Sequence, residues 1–94
     1  MIDTMWDIDI LVAVSDERAR QQLKWGEQDH TPAEWMVILG EEYGEVCREV
    51  WNSQLDTTPP LDRIITLARY RAELIQVAAV AVAAIRNLDR QSGN

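Results

Sequence analysis

Ninety-four residues with 47% hydrophobic content make one small globular domain, whose core is marginal if the chain folds alone. A formal charge of −7 and a pI near 4.5 exclude general nucleic-acid binding, which needs a basic face. Cys47 is the single cysteine, which excludes an intrachain disulfide; with no basic, apolar leader in "MIDTMWDIDILVAV", a cytoplasmic protein is expected.

The pattern predicts three helical segments, with no strand and no internal repeat. The first covers residues 1–26, helical from about Thr4 to Trp25, with a fresh N-cap on offer at Ser15 in "SDER" and a stop at Gly26. After the loop "GEQDH", Thr31, Pro32 and Glu34 supply an N-cap, a proline at the first helical position and the third-position acid of a capping box. The second segment therefore spans 31–52. "NSQLDTTPP" is a loop, since two prolines do not continue a helix. The third segment, 61–89, opens at the prolines or Asp62, and 90–94 is a frayed tail. Its longest apolar run, Val77 to Ile85, falls well short of the roughly 20 residues that cross a bilayer, so no membrane partner is expected.

At about 100° per residue, Trp35, Leu39, Tyr43, Val46 and Val50 form the apolar stripe of the second helix. Glu42 and Glu49 border that stripe, with Glu45 and then Glu41 further round. On the third helix, Arg69, Glu73, Gln76, Val80, Ala83 and Asn87 follow steps of four and three along one seam. The other faces of residues 74–85 are also apolar. Such a helix should be central, and in so short a chain a second subunit should cover part of it. The expected fold is all-α, an antiparallel helical bundle completed by homo-oligomerisation.

Glu41, Glu42, Glu45 and Glu49 fall within nine residues, and like charges one turn apart repel. A positive partner is expected against them. Glu73 lies among apolar residues, where an unpaired charge is costly. Glu42 and Glu45 are three apart, as are Glu73 and Gln76. Antiparallel packing of the two helices would let these four oxygen-bearing side chains converge on a hard cation, Mg²⁺. Such a cation suits chemistry on a nucleotide, where it neutralises phosphate charge and orients a water.

"EEYGE" and the later "ELIQ" are similar to the EExxE and ExxD motifs of the MazG-like all-α nucleoside triphosphate pyrophosphohydrolases. The flanking "ERARQQLKWGEQDH" and "YRAELIQVAAVAVAAI" extend the resemblance over roughly residues 15–88. It implies a homodimer or homotetramer of helical bundles that hydrolyses an NTP or dNTP to the monophosphate and pyrophosphate, with Mg²⁺ or alternatively Mn²⁺. Glu42, Glu45 and Glu73 would be metal ligands, with Gln76 in the position of the family aspartate. Glu41 would be a further ligand or the group that deprotonates the attacking water. An amide in place of the aspartate can ligate a metal but brings no charge. Larger relatives also carry a Lys/Asn-rich segment after ExxD, so phosphate-binding cations are expected elsewhere: Arg20, Lys24, Arg69 or a partner subunit.

Plainer roles stand beside these. The glutamates could line a solvated face, and Glu73 could pair with Arg69 or Arg48. Trp25, beside Lys24, is a candidate base-stacking residue, while Trp6, Trp35 and Trp51 read as packing or subunit contacts. Lys24, Trp25, Arg69 and Asn87 are the candidate substrate-binding residues, Arg69 and Asn87 flanking the seam within reach of phosphate or ribose. Cys47 is expected to be a quiet buried thiol, and His30 a loop residue. Gly40 and Gly44 cost roughly 1 kcal/mol each inside a helix, which close approach of another helix or of substrate would offset. The rival function is a non-catalytic helical module that binds a nucleotide or a protein. A di-iron bundle would need ExxH pairs, and the sole histidine is in a loop.

Overall fold

The structure, a computed structural model, describes residues 4–54, 57 and 59–93, with residues 4–6, 60 and 61 described by their backbone alone. Three helices account for nearly all of it: α1 (Thr4–Trp25), α2 (Pro32–Ser53) and α3 (Pro60–Gln91). No strand occurs among the described residues. None of these helices is long and apolar enough to cross a membrane.

Each boundary has a local cause. α1 runs unbroken through Ser15, so the cap available there is not used. It stops at Gly26, whose φ of 74° suits a residue without a Cβ, and the Gly26 N–H donates to the Gln22 carbonyl at 2.8 Å. α2 begins with the complete capping box. Thr31 Oγ1 accepts from the Glu34 N–H at 3.2 Å, and the Thr31 N–H donates to Glu34 Oε1 at 2.8 Å. α3 opens at the prolines, with Pro59 as its cap. Leu55, Asp56 and Thr58 of the intervening loop lie outside the described residues.

α3 is the central helix and packs against both α1 and α2, which barely touch each other. Pairing at both ends makes α2 and α3 antiparallel: Trp35 and His30 meet Asn87, while Glu49 meets Arg69. Among the described residues the buried apolar core is small, consisting of Trp35, Val46, Ala79, Val80 and Ala83. Ile38, Leu39 and Ala84 pack around it.

Several expectations need correcting at the level of the single chain. Tyr43, placed on the α2 stripe, is 63% exposed, and Trp51 is 82% exposed. On α3 the seam is buried only in its C-terminal half; Leu74 and Ile85 lie open, and so do Gln76 and Arg69. Cys47 is exposed, not buried. Gly40 and Gly44 have open space above them, so no packed neighbour within the chain accounts for either.

Candidate active site

The site is built around Asn87, which is 1% exposed beyond the buried Val80 and Ala83 on the α3 seam. A buried amide needs partners. Its Oδ1 accepts from Trp35 Nε1 at 2.7 Å and from the His30 backbone N–H at 2.8 Å, and its Nδ2 donates to Asp29 Oδ1 at 2.9 Å. Both acceptor sites of the carbonyl are thus spent within the chain. Arg90 continues the clamp, donating to the Gln28 carbonyl at 3.0 Å and pairing with Asp29 at 3.2 Å and Glu27 at 3.1 Å. The His30 ring meets the Trp35 indole edge-on, with centroids 4.9 Å apart. The loop before α2 is therefore fastened to the C-terminal turns of α3. Asn87, read from the sequence as a substrate contact, is the knot of that fastening.

The clamp closes one end of a cavity of about 250 Å³ between α1, the 26–30 loop, α2 and α3. Arg18, Trp25, Trp35, Glu42, Val80 and Arg90 are among its walls. Lys24 covers one face of the Trp25 indole, with its Nζ 4.8 Å from the ring centroid. Gln76 and Glu42 share a shallow recess with Glu17 and Lys24 on the α1 side.

From this cavity a line of carboxylates runs along the α2–α3 seam. Burial raises the Glu42 carboxyl above its ordinary pKa, and Glu45, Glu17 and Glu41 push it the same way. Glu17 was not foreseen as a member of this line. It comes from α1, its side chain is only 14% exposed, and it is held by Arg20 at 2.8 Å and Gln21 at 3.3 Å. Its place depends on how α1 packs on the other helices, for which the sequence carries no local signal. Further along, Glu73 Oε2 is buried without a hydrogen-bond donor. Burial first, then a hydrogen bond shared with the Glu49 carboxylate and that group's charge, push the Glu73 pKa up to about 7, with Arg69 opposing and Glu45 adding. Arg69 pairs with Glu49 at 3.6 Å and not with Glu73, and its side chain is 67% exposed.

Glu45 thus links the two ends of the line, Glu42 towards α1 and Glu73 towards the start of α3. Glu41 lies on the exposed flank of α2. Among the described residues, no three His, Cys, Asp or Glu side chains lie close enough together to hold a metal ion. The oxygen-only donor set and the partnerless Glu73 oxygen suit a hard cation chemically. Gathering them round one point requires new side-chain rotamers.

The proton on Glu73 has a measurable consequence. A carboxyl raised from 4.5 to about 7 binds its proton more tightly folded than unfolded. Its contribution to stability is complete below the unfolded value and disappears as pH rises through about 7. Glu42 acts with the same sign. In EDTA the melting temperature should therefore fall by a few degrees between mildly acidic and mildly alkaline buffer, and Glu73→Gln should flatten that slope. An equal slope in the variant would contradict a proton shared between Glu73 and Glu49.

Comparison of the chain with protein-family models, with curated proteins and with solved structures returned no match.

Proposed function

We propose that the protein is a divalent-metal-dependent nucleoside triphosphate pyrophosphohydrolase of the MazG-like kind, releasing pyrophosphate from an NTP or dNTP. One observation carries the reading: glutamates from three helices crowd along one seam, the carboxyls of Glu42 and Glu73 are raised above their ordinary pKa, and the buried Glu73 Oε2 lacks any donor. Such a line is relieved either by protons or by a cation. The motif spacing of Glu42, Glu45, Glu73 and Gln76 supports the same reading.

Glu42, Glu45 and Glu73 would hold Mg²⁺ or Mn²⁺, with Gln76 as a neutral oxygen donor. When bound, the metal supplies charge neutralisation to the phosphates and acidity to water. Glu41, outside the packed seam, accepts the proton of the attacking water. The cavity beside Glu42 admits part of the substrate, and Trp25 at its mouth keeps one ring face for a base.

The active species is a homodimer or homotetramer. The single chain exposes 7343 Å², whereas a compact monomer of 10.8 kDa exposes about 5,500 Å². The excess, roughly 1,800 Å², matches what one subunit of an obligate homodimer loses, about 1,000–2,500 Å². An apolar groove lined by Tyr43, Val46, Cys47, Trp51, Tyr70 and Leu74 belongs to that exposed surface.

A second reading, a non-catalytic helical module that binds a nucleotide or protein, is favoured by neutral Gln76 and by the spread of the carboxylates. Incubation with a panel of NTPs and dNTPs, with Mg²⁺ and then with EDTA, separates the two. The enzyme releases pyrophosphate and the matching monophosphate from at least one substrate, only with metal, and elutes from a sizing column as a dimer or larger. Binding of the panel with no product would leave the module.

A further inference from the structure

In a chain of net charge −7, three arginines gather at one corner of the fold. Arg18 on α1 and Arg90 on α3 line the same cavity, and Arg86 is close enough to Arg18 to repel it. Arg90 is already neutralised by Glu27 and Asp29. Arg18 and Arg86 make no ion pair among the described residues, and Arg18 Nε is buried without an acceptor. Burial, followed by the two neighbouring guanidiniums, pulls the Arg18 pKa below its usual value. A guanidinium nevertheless keeps its proton, so this crowding persists until an anion answers it.

We propose that Arg18, backed by Arg86 and Arg90, is an oxyanion-binding site in the cavity between α1, the 26–30 loop and the α2–α3 pair, and that its ligand is a phosphate or pyrophosphate group. Of the two unpaired guanidiniums, Arg18 lines the cavity and Arg86, exposed beside it, adds to the positive field, which favours a multiply charged phosphate over a single carboxylate. The guanidinium fork also fits phosphate oxygens two at a time. The space, about 250 Å³, is the share of about eight waters, enough for the phosphate end of a nucleotide. The more obvious cations are committed or open to solvent. Arg20 is held by Glu17, Lys24 lies over Trp25, and Arg69 pairs with Glu49.

The identity of the anion as phosphate rests on the proposed function; the guanidinium site itself does not. Titration of the metal-free protein with inorganic pyrophosphate in EDTA, followed by calorimetry and by tryptophan fluorescence, to which Trp25 and Trp35 of the cavity wall contribute, tests it directly. The wild type should bind, Arg18→Gln should bind at least tenfold more weakly, and Arg18→Lys should recover part of the loss. Circular dichroism and thermal unfolding of both variants establish that they fold. Should Arg18→Gln fail to fold, Arg18→Lys and Arg86→Gln carry the comparison, each with weaker binding than wild type. Pyrophosphate binding without NTP hydrolysis would defeat the enzyme reading and leave this site standing. No binding by the wild type, or equal binding by the folded variants, would overturn the site even if hydrolysis is found.

Discussion

Asn87→Ala is expected to lower the unfolding free energy by about 3 kcal/mol, because it strands two donors at once. Trp35 Nε1 and the His30 N–H both point at Asn87 Oδ1, and Trp35 is itself in the core. Asp29 simultaneously loses one of its two donors and keeps only Arg90. Total stability for domains of this size is about 5–15 kcal/mol, so the loss is a large fraction. Urea unfolding would show it as a lower midpoint with an unchanged slope. A double-mutant cycle sharpens the result. Trp35→Phe removes the indole donor, so it should cost less in an Asn87→Leu background than in the wild type. A midpoint unmoved by Asn87→Ala would mean that the clamp is ornamental.

Glu42→Gln carries the second large effect. If Glu42 is a metal ligand, the amide should reduce pyrophosphate release by about 100-fold, equivalent to about 2.7 kcal/mol of barrier. The same substitution should leave the metal-free protein as stable as before or more so. Burial and three neighbouring glutamates all disfavour the charge on Glu42, and an amide removes it. Activity and stability moving in opposite directions is the signature of a residue kept for its chemistry. Undiminished release by the variant would remove Glu42 from the metal site.

The fold was largely legible because its signals are local. Thr31, Pro32 and Glu34 start α2 as their chemistry requires, and Gly26 and the prolines fix the neighbouring boundaries. Long-range partnerships were not legible. Helical spacing put Glu73 beside Gln76, but whether Arg69 reaches Glu73 or Glu49 depends on the register between α2 and α3. Glu17 joined the acidic line for the same reason, since helical periodicity does not encode how α1 packs on α3. Asn87 was misread for a subtler reason. A polar residue in an apolar seam signals a required partner, and unpaired backbone donors ahead of a helix are one such partner. The exposed Tyr43, Cys47 and Trp51 stand around the buried Val46 in a groove that the packing available in one chain leaves open.

The fastening of residues 28–30 to residues 87–91 also orders events on the ribosome. Hydrogen bonds across 57 to 62 positions join the start of α2 to the last turns of α3. During vectorial synthesis, Trp35 and Asp29 emerge long before Asn87 and Arg90, and α1 and α2 leave the exit tunnel with nothing to anchor them. The arginine corner and its cavity can close only when the final codons of this stretch have been translated. A nascent chain stalled between Glu73 and Asn87 has the acidic residues but not the enclosure around them.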